Sequence, residues 1–319
     1  MQIVPARDAL LEHILGETWR IWSDGLSRGA YARYNAGQMQ TPWGRRHLDR
    51  VALVDNGRVL STAKRYALRA RLDGRVTRVL GIGAVFTPPA LRGRGAAAAL
   101  VNGLLEEARQ EGVEAALLFS EIGASYYERF GFSAIARDVV WLRVAHQPGA
   151  PAVLTRSGDD RDISAVVELV RSGAAHARFA LDPEEDFVRY GVAKKRLLAG
   201  LSPRGFRTVE FFVAEEGASA AAFVLLTRTA RGATLEMCGD RDPSGARVGA
   251  ILQVLRARTP AEAAPDIAAW LPVGWLPPQL SVVKRHPASE LMMTKPLCDG
   301  VRVTDLRADD VVYWHGDAF

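Results

Sequence analysis

The chain has 319 residues, 48% of them hydrophobic and 24% charged, with a formal charge of +5 at pH 7. That length suits two domains, each with its own core, and the balance excludes a disordered or fibrous chain. The basic excess is small and spread along the sequence, unlike the concentrated basic face of a nucleic-acid binder, and no apolar run approaches the roughly 18 residues of a membrane span.

The N-terminal MQIVPARDALLEH carries acids early and no apolar signal core, which places the protein in the cytoplasm. Its two cysteines, Cys238 and Cys298, agree, because two distant thiols build neither a disulfide framework nor a zinc cluster. Both read as structural, and no metal is expected.

From Arg7 to about Ser27, the apolar residues Leu10, Leu11, Ile14, Leu15, Trp19 and Ile21 fall mostly at helical spacing. Residues 31–50 read as a loop whose aromatics (Tyr31, Tyr34, Trp43) either cover a sheet or wall a small-molecule pocket. Three apolar strands follow, around 50–55, 58–69 and 75–87. Asn56-Gly57 and Asp73-Gly74 between them predict two hairpin turns, because both pairs tolerate φ > 0.

The third strand runs into TPPALRGRG, then a helix (AAAALVNGLLEEARQEG), a strand (EAALLFS) and the aromatic segment ASYYERFGF. A helix N-terminus offers free N–H groups and a partial positive charge, so Arg92, Gly93, Arg94 and Gly95 suggest a phosphate cradle. Residues 138–145 read as a strand closing this half, and Gln147 to Pro151 as the linker.

In the second half, helices are expected near 162–172 and 188–200, with an acidic patch at 182–186. From Thr208 the earlier order returns as strand, turn, strand, turn, strand, loop, helix, which indicates an internal duplication. The repeated loop, Gly239 to Gly245, carries acids where the first copy has arginines, and should repel a pyrophosphate.

Gly93-x-Gly95-x-x-Ala98 also fits the dinucleotide pattern, with Glu121 as the ribose acid. Against it stand five residues between strand and first glycine, an antiparallel meander before the motif, and an aromatic segment with no role in that fold.

TPPALRGRGAA followed about thirty residues later by ASYYERFGF resembles instead the GNAT superfamily of N-acetyltransferases. Its signature is R/Q-x-x-G-x-G/A at a helix start and a later Tyr-Glu-x-x-Gly-Phe segment. The resemblance covers about 50–145 well and the second half as a degenerate repeat. It implies an α/β (α+β) fold with a central mixed, mostly antiparallel sheet flanked by helices, duplicated in tandem. The expected division is a catalytic domain 1–146, a linker 147–151 and a degenerate second domain 152–319.

The resemblance implies acetyl-CoA as acyl donor. Val85, Phe86 and Thr87 would meet the pantetheine where their strand splays from 117–120. The amides of Arg92, Gly93, Arg94, Gly95, Ala96 and Ala97 would hold the pyrophosphate, and Ser120 and Ser125 complete the cofactor set. Tyr127 takes the place of the family's general acid. The strand before the loop, VLGIGAVF, has no ionisable residue, so Glu121 or a water chain is the expected base. The terminal carboxylate of Phe319, with Asp317 or His315 nearby, is a further catalytic candidate.

The acceptor expected is a small primary amine, attacked directly in a ternary complex, without nucleic acid or membrane; a homo-oligomer is compatible with this. The acids at 182–186 would attract a cationic amine. Two other readings stay open: a regulatory module that binds acyl-CoA without turnover, and a protein-lysine acetyltransferase.

Overall fold

The structure, a computed structural model, describes residues 1–146, 153–258 and 264–318. Its contacts divide the chain into two units: Met1–Ile135 with Ser289–Leu306, and Ala136–Ala288 with Arg307–Ala318.

The first unit begins with β1 (Gln2–Pro5) and α1 (Asp8–Trp22), whose inward side buries Ile14 and Leu15. The expected loop at 31–50 is instead two helices, α2 (Arg28–Gln40) and α3 (Pro42–His47), capped by the hydroxyls of Ser27 and Thr41. The buried face of α2 is Ala30, Tyr31, Asn35 and Gln38. Half of that face is polar, so apolar periodicity does not report the helix.

Strands β2 (Leu48–Asp55), β3 (Arg58–Leu72) and β4 (Arg75–Phe86) form the expected meander. Asn56 and Gly57 have φ of 47° and 77°, and Asp73 and Gly74 48° and 80°. Two consecutive positive φ values give the turn whose twist matches paired strands. Helix α4 (Ala96–Gln110) buries Leu100, Val101, Leu104, Leu105 and Ala108. Strand β5 (Ala115–Ser120), α5 (Ser125–Glu128) and β6 (Ser133–Ile135) follow.

In the second unit, β7 (Asp138–Val144) is followed by β8 (Thr155–Ser157), α6 (Ile163–Gly173), β9 (Phe179–Leu181) and α7 (Glu185–Leu201). Then come β10 (Arg207–Glu216), β11 (Ser219–Thr229), β12 (Gly232–Asp240), α8 (Ala246–Ala257), β13 (Ile267–Ala269) and β14 (Leu280–Pro287). Strand β15 (Leu291–Pro296) returns to the first unit, and β16 (Val311–Val312) pairs with β9 in the second.

The first sheet runs β1-β2-β3-β4-β5-β15-β6 and the second β8-β10-β11-β12-β13-β7-β14. In each, the only parallel neighbours along this path are the fourth and fifth strands, β4 with β5 and β12 with β13. The duplication read from the sequence is therefore a repeated topology. The sixth strand of each sheet lies just after the other sheet's seventh strand in sequence: β7 follows β6, and β15 follows β14.

This exchange corrects the expected division. The strand at 138–145 does not close the first sheet; it pairs with β13 and β14. The first unit is closed by β15, whose Met292 and Met293 are fully buried. The expected linker at 147–151 lies outside the described residues. Among the described residues, no helix is long and apolar enough to cross a membrane, and no group of three or more His, Cys, Asp or Glu could hold a metal ion.

Candidate active site

The parallel ladder between β4 and β5 runs from Val79 opposite Ala115 to Ile82 opposite Leu118, and stops. Two residues on, Ala84 has φ of +47°, and the register of β4 against β3 shifts between Thr62 and Lys64. A bulge of this kind bends its strand. Beyond Ile82, β4 turns away from β5 and the two leave an opening between them.

The loop after β4 is set by Pro88, whose carbonyl accepts the Leu91 N–H at 2.8 Å, and by the Arg92 guanidinium, which donates to the Thr87 carbonyl at 3.2 Å. Gly93 and Gly95 have φ of +75° and +79°, a region that favours glycine. Gly95 caps α4 without a side-chain acceptor, and a Cβ at either glycine would meet no protein atom within 4 Å. The first amides of α4 therefore border an open cavity of about 690 Å³, lined by Val85, Thr87, Arg92, Gly93, Gly95, Ala96, Ala97 and Tyr127 among others.

A second cavity of about 250 Å³ shares Val85, Ile122 and Tyr127 with the first. Its other walls include Trp22 from α1, Tyr31, Tyr34 and Asn35 from α2, Arg50, Lys64, Gly83 and Glu121. Tyr127 is thus common to both. Its side chain is buried, with Tyr126 edge-on at 5.0 Å, and burial, reinforced by Tyr126, pushes its phenol up to about 12. At neutral pH it holds its proton and can only donate it.

Residues 25–135 match the family described as an acetyltransferase (GNAT) domain. That stretch, about a third of the chain, is the part that the family match covers. The chain's fold is that of solved GNAT proteins over nearly its whole length. A GCN5-related N-acetyltransferase from Kribbella flavida is 18% identical, with 92% of this chain and 70% of that one covered and a TM-score of 0.67. One from Anabaena variabilis is 14% identical, with coverage of 93% and 73% and a TM-score of 0.70. A tandem GNAT protein from the clavulanic acid biosynthesis pathway is 15% identical, with coverage of 94% and 99% and a TM-score of 0.56. Such identities carry the fold alone. No curated protein matches the chain.

In this GNAT domain the residues expected at the cofactor site fall into three groups. Val85, Thr87, Arg92, Gly93, Gly95, Ala96, Ala97 and Tyr127 line the larger cavity, whereas Ser120 and Glu121 line the smaller. Phe86, Arg94 and Ser125 line neither. Successive strand residues point to opposite faces. The Phe86 side chain is therefore buried on the opposite face from Val85 and Thr87, edge-on to Trp22 at 6.4 Å.

The Ser120 hydroxyl donates to the Gly123 carbonyl at 2.6 Å and so holds the turn after β5. Burial, with Glu290 adding repulsion, raises the Glu121 pKa above the ordinary glutamate value. Phe319 lies outside the described residues. The acids at 182–186 are engaged in their own unit: Asp182 lies 3.7 Å from Arg171, and Glu185 and Asp186 lie 3.1 and 3.5 Å from Arg189.

Arg50 and Asn35 are among the wall residues that the sequence did not offer. Arg50 opens an apolar strand, where an arginine ordinarily faces solvent, and only the packing of α2 over it reveals its burial.

The second copy of the loop is filled by its own side chains. The Asp240 carboxylate accepts the backbone N–H groups of Asp242, Arg247 and Val248 at 2.9, 2.8 and 3.1 Å. Asp242 accepts that of Ser244 at 2.9 Å. A Cβ on Gly245 would lie 2.5 Å from the Trp275 ring, so the turn is covered at Gly245 itself, and a cavity of about 180 Å³ borders the loop only at residues 239–243. Protein carboxylates satisfy the amides at the start of α8 and Trp275 covers the turn.

Proposed function

We propose that the first unit transfers an acetyl group from acetyl-CoA to a primary amine of a small molecule, by direct attack in a ternary complex. One observation carries this reading: two cavities of different character meet at Val85 and Tyr127. The larger has what a pantetheine pyrophosphate needs, namely a strand edge freed by the splay, unobstructed amides at a helix start, and glycines that allow close approach. The smaller, with aromatic and charged walls, suits an acceptor.

Acetyl-CoA supplies the activated acyl group. In this reading Val85 and Thr87 pair with the pantetheine amides, and Arg92 through Ala97 hold the pyrophosphate. Tyr127 gives a proton at its phenol oxygen to the departing sulfur. Glu121, on the wall of the smaller cavity, takes a proton from the acceptor ammonium, directly or through water.

Thiol release from acetyl-CoA, followed with a panel of primary amines, tests the reading. Release matched mole for mole by acetylated amine supports it. Binding of acetyl-CoA with no release on any amine would favour a binding module instead.

A further inference from the structure

The smaller cavity contains a charge that no protein group neutralises at its own nitrogen. Arg50 is 2% exposed and ranks among the largest fully buried side chains. Its Nη2 lies 3.4 Å from Asn35 Oδ1, a long contact, and its Nη1 has no hydrogen-bond partner. Burial lowers its pKa, opposed by the Tyr31 and Tyr66 phenols and by a side-chain hydrogen bond with Tyr31; no carboxylate contributes. Burying a guanidinium is costly unless it is paired, and an orphaned nitrogen adds to the cost. Asn35 and Tyr31 meet the guanidinium in part, but they carry no charge and leave Nη1 without a partner.

The register shows where a counter-charge would lie. Arg50 is directly opposite Lys64 on β3, and Lys64 directly opposite Gly83 on β4. Residues opposite one another in an antiparallel ladder share a face. Two cations and a side-chain-free position thus form one row across the sheet, and all three residues line the cavity. Gly83 immediately precedes the bulge at Ala84, where β4 leaves β5 and the cavities join. Two strand spacings, about 10 Å in all, separate the Arg50 and Gly83 backbones. A molecule anchored on Arg50 would cross Gly83 and present its other end at Val85 and Tyr127.

We infer that the acceptor is an amine that also carries a carboxylate, held by Arg50 with Lys64 beside it, and that several bonds separate the carboxylate from the reacting nitrogen. The planar guanidinium fork matches a carboxylate, and Asn35 holds that fork by its second nitrogen. Asn35 is itself fixed, since its Nδ2 donates to the Tyr31 carbonyl at 2.9 Å. Arg50 and Asn35 are specificity residues rather than catalytic ones. The inference rests on the acetyltransferase reading only for the word acceptor; the carboxylate site stands as a binding site without it.

The test compares ω-amino acids from glycine to 6-aminohexanoate, together with the proteinogenic amino acids, against the primary amide of each. Binding is measured by calorimetry on the full chain with CoA present, and turnover by acetylated product. The expected result is that at least one acid binds tenfold or more tightly than its amide, with preference among the ω-amino acids rising with chain length. In Arg50→Gln that ratio falls to near one, while Arg50→Lys retains part of it; melting temperature and CoA affinity report whether each variant is folded.

Equal binding of acids and amides, binding of no acid, or a folded Arg50→Gln that keeps the ratio would overturn the inference. Should Arg50→Gln not fold, the wild-type ratio and Arg50→Lys decide. Acids that bind but are not acetylated would defeat the acetyltransferase reading alone. Amides acetylated as well as acids would defeat this inference alone.

Discussion

Ile82 faces Leu118 as the last rung of the parallel ladder between β4 and β5, and the opening that begins beyond this pair leads to both cavities. The bulge at Ala84 turns β4 outward, so the backbone near Val85 borders the opening, and the loop after it delivers Gly93 and Gly95 to the start of α4.

Replacing Gly93 or Gly95 by alanine separates strain from ligand contact. Neither new methyl meets the protein, so stability should fall only by the left-handed backbone penalty, about 1–2 kcal/mol. The same methyl would stand where a phosphate must come close. Acetyl-CoA affinity measured by calorimetry should fall tenfold or more, beyond what the melting temperature accounts for.

Asp240 in the second unit makes the opposite prediction. Its carboxylate holds three amides around the start of α8. Asp240→Ala leaves those donors without an acceptor and should cost about 1–3 kcal/mol, read from a denaturant midpoint. Titration of the wild-type chain should give one CoA per chain, because only the first copy of the loop has open amides.

The exchanged strand makes the first unit depend on residues far along the chain. A chain cut after His146 lacks β15 and leaves the β5 edge and the pockets of Met292 and Met293 empty. It should not form a soluble, cooperatively melting unit. In the full chain, Met293→Ala should cost about 2–5 kcal/mol, measured by thermal or urea unfolding.

Glu121, as the proposed base, should set a pH dependence. Its pKa is raised, so as a base it becomes competent only as pH climbs through a value above the ordinary glutamate one. At saturating acceptor, kcat should rise with pH across that interval, and Glu121→Gln should remove this limb. Tyr127, pushed up to about 12, stays protonated throughout and should impose no fall in rate below about pH 10.

Much of the fold could be read from local chemistry. Asn56-Gly57 and Asp73-Gly74 mark the hairpins, and the spacing of Leu100, Val101, Leu104 and Leu105 marks α4, because these signals depend only on near neighbours. The exchange of β7 and β15 could not be read this way. A strand's pattern says that it has two faces, but not which sheet it joins. Helix α2 escaped notice because Asn35 and Gln38 occupy its inner face. For the same reason Arg50 gave no sign of its burial: the aromatics Tyr31 and Tyr34 were legible as a wall, but the charge they enclose was not. The open glycine loop was legible because glycine, arginine and helix start are adjacent in sequence.

The central claim is that Tyr127 donates the proton that releases the thiol at the junction of the two cavities. Its most direct test is the rate of thiol release from acetyl-CoA in the presence of an accepted amine, for the wild type and for Tyr127→Phe. The account predicts that Tyr127→Phe, with its melting temperature and acetyl-CoA affinity close to wild type, loses about 100-fold or more in kcat. An unchanged kcat in that folded, cofactor-binding variant would contradict it.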